Sequence, residues 1–194
     1  VYKRQDMYSV SAHKIGALKG TGALIKKKKL VLQPYIWGGG QESGLRSGTE
    51  NVYGIKAFSL AAQAHCSGGG REKAWQHVRG LQKRLWQLLD KELFVRISSE
   101  EGSPYILSVA AKGVRGETIL HMCDDEGLII GTGSACSSNA AKRHSRVMQA
   151  CGLAPELIDG VLRISFCTHN TAEEIEEAAG ILNRVVRADS EMMK

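Results

Sequence analysis

Much is missing from this chain, and each gap removes a class of function. No stretch of about 18 consecutive apolar residues occurs, so no membrane-spanning helix is expected. No charged start leads into an apolar core and a cleavage site, so no secretory leader is expected and the cytoplasm is the default compartment. The five cysteines, Cys66, Cys123, Cys136, Cys151 and Cys167, are odd in number and irregular in spacing, with no Cys-x-x-Cys pair. A metal site or redox disulfide is therefore not indicated, and reduced thiols are expected. Internal repeats are absent too. The net charge of +6 raises the question of nucleic acid, with Lys26 to Lys29 as the obvious patch. Four lysines without an aromatic platform offer little beyond phosphate attraction, and a charge run directly after a strand reads better as a solvated turn. No nucleic-acid or membrane partner is expected.

What is present describes a globular protein: 194 residues, 43% hydrophobic and 24% charged, enough for one domain or one domain and part of another. Val1 to Gln5 fit no element. Met7 to Ala12 and Thr21 to Ile25 read as strands, with Leu30 to Ile36 as a third. Gly38 to Gly48 holds five glycines and reads as a loop, followed by a helix from about Glu50 to His65 with Thr49 as its N-cap. Ser67-Gly-Gly-Gly70 breaks the chain and is the expected domain boundary.

Beyond it, Arg71 to Leu93 shows the clearest helical periodicity, with Trp75, Val78, Leu81, Leu85, Leu88 and Leu89 as an apolar stripe. Strands are expected at Phe94–Ser98, Tyr105–Ala110 and Gly160–Phe166. Helices are expected at Glu117–Glu126, Ser145–Cys151 and from Thr171 to about Ala188, the last opened by a Thr171/Glu174 capping box. Such interleaving makes a compact α/β domain.

Three side chains stand out chemically. Lys14 lies at a strand end beside a glycine-rich turn, the place where α/β sheets bind ligands, although alone it reads as an ordinary surface lysine. Ser11 and His13 beside it could donate hydrogen bonds to a phosphate. Cys136 lies in Gly131-Thr-Gly-Ser-Ala-Cys-Ser-Ser-Asn139, small or polar on every side, which suits either an exposed thiolate nucleophile or an incidental loop cysteine. Arg163 sits mid-strand in an apolar segment, where an unpaired guanidinium is costly and should meet a carboxylate. A structural ion pair and a ligand clamp both answer that description.

Four ordered blocks carry a resemblance. They are Ser11-Ala-His-Lys14 with Lys19-Gly20, Gly38-Gly-Gly-Gln-Glu-Ser-Gly-Leu-Arg-Ser-Gly-Thr-Glu-Asn-Val52, Gly133-Ser-Ala-Cys-Ser-Ser138, and Leu162-Arg-Ile-Ser165. Together the chain resembles the cysteine desulfurases, the NifS/IscS-like branch of the class V aminotransferases. Ala17 and Leu18 depart from the Gly-Pro that the family usually carries after its lysine motif.

The resemblance implies an α/β protein of the fold-type I pyridoxal-phosphate-dependent transferases. Residues 6–66 would end the large cofactor-binding domain with its linking helix, and residues 71–194 would form a small C-terminal α/β domain. It implies that Lys14 binds pyridoxal 5'-phosphate, aided by Ser11 and His13, and that Thr49 reaches the cofactor phosphate across a homodimer interface. Arg163 would clamp the carboxylate of the substrate, L-cysteine. Cys136, on a 14-residue loop of the NifS/IscS type from Gly131 to His144, would accept the sulfur and pass it to an acceptor or scaffold protein for iron-sulfur clusters or tRNA thiolation. A selenocysteine lyase, another class V aminotransferase, or a non-catalytic sulfur-carrier module are the alternatives. Other cofactor-binding parts precede the lysine in the family, so this chain is expected to resemble a C-terminal half that binds the cofactor weakly or not at all by itself.

Overall fold

The computed structural model describes residues 5–66, 69–132 and 146–192. They divide into two compact units, Val1–Glu72 and Lys73–Lys194.

In the first unit, β1 (Met7–Ser11) and β2 (Gly22–Lys26) pair antiparallel, Met7 opposite Lys26 and Ser11 opposite Gly22. Between them a short 3-10 helix (Ala12–Ile15) ends on Gly16 at φ 85°, a left-handed conformation that a side chain would strain. Ala12 is wholly buried, and its amide donates to the Thr21 carbonyl at 3.0 Å, which ties the turn to the root of β2. The lysine run closes locally: Lys26 Nζ donates to the Leu30 carbonyl at 2.8 Å and Lys27 pairs with Asp6 at 2.7 Å.

Leu30 to Ile36 does not form the expected third strand. Its one β-type contact is an isolated parallel bridge from Ile36 to Arg46, and Tyr35 is 95% exposed. Pro34 removes a backbone donor, and no strand among the described residues lies alongside to reward extension.

Helix α1 (Val52–Cys66) begins on Asn51, not on Thr49 as expected. The Asn51 Oδ1 accepts the Gly54 amide at 3.0 Å, the bond an N-cap makes to the third helical residue. Asparagine caps at least as well as threonine, so the nearer of two competent residues sets the start.

The second unit is built on the sheet β3 (Phe94–Arg96), β4 (Ile106–Ala111), β6 (Val161–Ser165) and β5 (Gly131–Thr132), in that spatial order and antiparallel throughout. Side chains alternate across it. Leu107 and Val109 on β4, with Leu162 and Ile164 on β6, join a core formed with α2 (Gly70–Leu88), α3 (Gly116–Asp125) and α6 (Ala172–Met192). Arg163 and its partner across the strand, Ser108, belong to the opposite face. Two short helices, α4 (Arg146–Ala150) and α5 (Pro155–Ile158), precede β6, and α5 was not foreseen.

Helices α2 and α6 run side by side in the same direction. They are linked at His77 to the Asn170 carbonyl, Arg84 to Glu176, Asn183 to the Leu88 carbonyl and Arg187 to Asp90. That clamp explains why α2 stops at Leu88 rather than Leu93. The Asp90 amide donates to Asn183 Oδ1 at 2.9 Å and its carboxylate accepts the Glu92 amide at 2.9 Å, so a side-chain turn replaces the helical ladder. Leu88 is accordingly exposed, while Leu89 is buried. The capping box at α6 forms as expected: Thr171 Oγ1 accepts the Glu174 amide at 3.3 Å and Glu174 Oε2 accepts the Thr171 amide at 3.1 Å.

Candidate active site

Ser11, His13 and Lys14 stand together where β1 runs into the 3-10 turn, and all three are exposed. Lys14 makes no hydrogen bond or ion pair to any described residue, so its ammonium is free to meet a ligand. The turn that presents it is firmly seated. Ala12 beneath it is buried, and the Ile15 carbonyl contacts His65 Nε2 on α1 at 3.2 Å.

Thr49 is exposed, two residues before the Asn51 cap. Asn51 Nδ2 also donates to Thr21 Oγ1 at 3.3 Å, and the Thr21 carbonyl holds the Ala12 amide. A continuous chain of bonds therefore ties the start of α1 to the Lys14 turn. Gly54 makes the fit possible, since a Cβ there would lie 2.1 Å from Thr21 Oγ1. Neither Asn51 nor Thr21 nor Gly54 was singled out from sequence; an Asn-x-x-Gly at a helix start is the signal that could have found the cap.

The glycine-rich loop ahead of Thr49 is ordered by Ser47, which is buried and whose Oγ donates toward the Ile36 and Trp37 carbonyls, each at 3.1 Å. Glu42 and Ser43 both adopt left-handed backbone, at φ 50° and 56°, a costly conformation away from glycine.

In the second unit, Arg163 is half-buried on β6. The carboxylate expected beside it is not there: among the described residues Arg163 forms no hydrogen bond and no ion pair. Instead its guanidinium lies against Gly131, its partner across the β5/β6 pairing. A Cβ on Gly131 would stand 3.1 Å from Nη2 and 3.5 Å from Nε. A partly desolvated guanidinium without a counter-charge among the described residues suits an anion, because a carboxylate arriving there can accept two charge-assisted hydrogen bonds at once. From sequence alone Gly131 reads only as the start of a loop.

Cys136 lies outside the described residues, as does most of the segment from Gly131 to His144. In sequence it follows the last residue of β5, Thr132, by four positions. Of the other cysteines, Cys123 is buried in the core, and burial pushes its thiol up to about 11, with the Glu126 charge adding to the effect. That is the chemistry of an inert structural cysteine. Cys151 and Cys167 are exposed and free. The described residues hold no cluster of histidine, cysteine and carboxylate side chains able to bind a metal ion, and no helix among them is long and apolar enough to cross a membrane.

An exposed lysine at a strand end, followed along the chain by a glycine-rich loop and then by an α/β unit bearing a half-buried arginine, is the order of parts expected of a fold-type I transferase. The family described as Aminotransferase class-V matches residues 4–177. The chain belongs to that family. Among its relatives, a NifS/IcsS protein homolog of Lactobacillus delbrueckii subsp. bulgaricus is 37% identical over 177 residues, 90% of this chain and 45% of the relative. Cysteine desulfurase IscS 1 of Archaeoglobus fulgidus is 36% identical over 183 residues, 93% of this chain and 47% of the relative. Among solved structures, a NifS-like protein from Rickettsia africae superimposes with a TM-score of 0.79 at 27% identity, covering 94% of this chain and 48% of the other. The chain thus spans about half the length of the relatives it matches.

Proposed function

We propose that these residues serve a cysteine desulfurase that removes sulfur from L-cysteine, releases L-alanine and holds the sulfur as a persulfide on Cys136. The observation that carries the reading is the half-buried Arg163 guanidinium, without a hydrogen-bond or ion-pair partner among the described residues, on the strand paired with β5, the strand that leads in sequence toward Cys136. The family match supports it. The two units correspond on this reading to the end of the cofactor domain with its linking helix, 6–66, and the small domain, 71–194.

The donor set around Lys14 fits pyridoxal phosphate: a primary amine with no partner among the described residues, and a hydroxyl and an imidazole beside it, both exposed, that can donate to a phosphate. When bound, the cofactor supplies an electron sink for the bonds around the substrate's α-carbon. Lys14 holds the cofactor and then moves the α-proton. Ser11 and His13 bind the phosphate, and Thr49 binds it from a second subunit. Arg163 takes the substrate carboxylate in two-point geometry and fixes its orientation. The Cys136 thiolate attacks the substrate sulfur: an S–S bond forms, the C–S bond breaks, and its electron pair stays with the organic half, which takes up protons to leave as alanine.

A homodimer and a docked sulfur acceptor complete the proposal. Val31, Tyr35, Trp37 and Tyr53 of the first unit are each largely exposed, and large apolar side chains left in water support contact with further protein. The test uses the whole protein containing these residues. Lys14→Ala should lose the absorbance band at about 420 nm that pyridoxal phosphate gives on a lysine. Cys136→Ala should lose both persulfide, read by mass spectrometry, and alanine release from L-cysteine. Alanine release that survives Cys136→Ala would refute the desulfurase reading in favour of a selenocysteine lyase or another class V aminotransferase.

A further inference from the structure

Gly131 has no backbone reason to be glycine. Its φ is not left-handed, unlike that of Gly16 or Gly127, and it lies in regular antiparallel pairing opposite Arg163. Glycine in a strand costs backbone entropy and packs nothing, so its presence here calls for a neighbour that needs the room. That neighbour is the Arg163 guanidinium. The place where a Cβ would stand is 3.1 Å from Nη2, 3.5 Å from Nε and 3.6 Å from Cζ, so even a methyl group would push the guanidinium aside by a few tenths of an ångström.

We infer that Gly131 is a positioning residue, whose missing side chain forms the slot that seats the Arg163 guanidinium ready to take a carboxylate. An arginine side chain has several rotatable bonds, and fixing its head gives up their rotamer freedom. Seating the head against the β5 backbone removes part of that freedom before the ligand arrives, which is how preorganisation raises affinity. On the other side of β6, Arg163 pairs with Ser108, which is small and uncharged, so neither neighbour across the sheet supplies a competing carboxylate. The inference rests on the reading of Arg163 as the carboxylate site and adds the element that aims it.

The test follows the Nε–H resonance of Arg163 in the 194-residue chain by nuclear magnetic resonance, with acetate as the carboxylate probe and chloride holding ionic strength constant. The parent chain should show a saturable acetate-dependent shift that Arg163→Lys abolishes. Gly131→Ala should move the Nε–H resonance before any acetate is added and weaken acetate binding by about threefold or more, which corresponds to the loss of part of one charge-assisted contact. Gly131→Val should abolish the shift. Unchanged amide resonances along β4 and β6 would show that the sheet is intact in each variant, and Gly131→Ala alone suffices if the valine variant does not fold. An Nε–H resonance and acetate titration identical in parent and Gly131→Ala would overturn the inference. A parent that shows no saturable acetate shift would sink the carboxylate reading itself, and the free-state resonance of Gly131→Ala would still say whether Gly131 seats the guanidinium.

Discussion

Replacing Gln82 with leucine should unseat the segment that leads into β4. Gln82 is 1% exposed on α2, and its amide nitrogen faces three carbonyls: Ser103 at 3.2 Å, Pro104 at 3.2 Å and Ile106 at 2.9 Å. Its Oε1 accepts from Arg96 Nη2 at 3.2 Å. Two amide protons are thus shared among three carbonyls, and leucine returns neither. Each buried acceptor left without a donor costs about 1 to 3 kcal/mol, and because two of the three bonds are only part-buried, the loss of two donors falls in the lower half of the summed range, roughly 2 to 4 kcal/mol. Burying a leucine in place of the amide gives back about 1 kcal/mol. The net destabilisation should be about 2 kcal/mol, far from the near-neutral outcome expected for a volume-conserving core replacement. For an m value of about 1.5 kcal/mol per molar urea, the unfolding midpoint moves down by roughly 1.3 M. Tryptophan fluorescence reads the change locally, because Trp75 meets Tyr105 edge-to-face at 6.2 Å and Trp86 lies under Arg96 at 5.9 Å. A midpoint shift worth less than about 0.5 kcal/mol with an unchanged slope would refute the claim that this glutamine holds the segment.

Other outcomes follow from the same packing. Gly160→Ala should cost more than Gln82→Leu in urea denaturation, since its Cβ would stand 2.0 Å from the Ala111 carbonyl oxygen and backbone cannot rotate away; a stable variant would show the clash to be relieved. Gly54→Ala should destabilise α1 by about 1 kcal/mol, against the usual helical preference for alanine, because the methyl group displaces the Asn51 cap. Pairing it with Thr21→Ala should recover part of the loss, and strict additivity in hydrogen exchange of the Ile55 amide would count against the mechanism. Cys123 should resist a thiol reagent at pH 8 while Cys151 and Cys167 react within the dead time of Cys123. Because the folded state holds the Cys123 proton more tightly than the unfolded chain, which releases it near 9.0, stability is full below that pH and falls as pH rises toward about 11. A Cys123→Ala variant should lose that alkaline slope.

Several features were legible from residues alone because their signals are local. The strand and turn around Lys14, the apolar stripes of α2 and α6, and the Thr171/Glu174 box each depend on neighbours a few positions apart. The failures share another cause. Leu30 to Ile36 has a strand's composition, yet extension is stabilised only by a partner, and composition does not say whether one is adjacent. The ends of α1 and α2 were misplaced for a related reason: Asn51 is fixed by Thr21, and Asp90 by Asn183, which lies 93 positions away in the chain.

Arg163 divides the two kinds of information most clearly. Alternation along β6 tells from sequence that residue 163 faces away from Leu162 and Ile164, because the side-chain period of a strand is a property of its backbone. Family membership was equally a matter of sequence, since four ordered blocks survive without reference to space. That the guanidinium meets no carboxylate among the described residues but rests over Gly131 was decided only when β5 paired with β6, for register is set by the whole sheet and its packing and not by either strand alone.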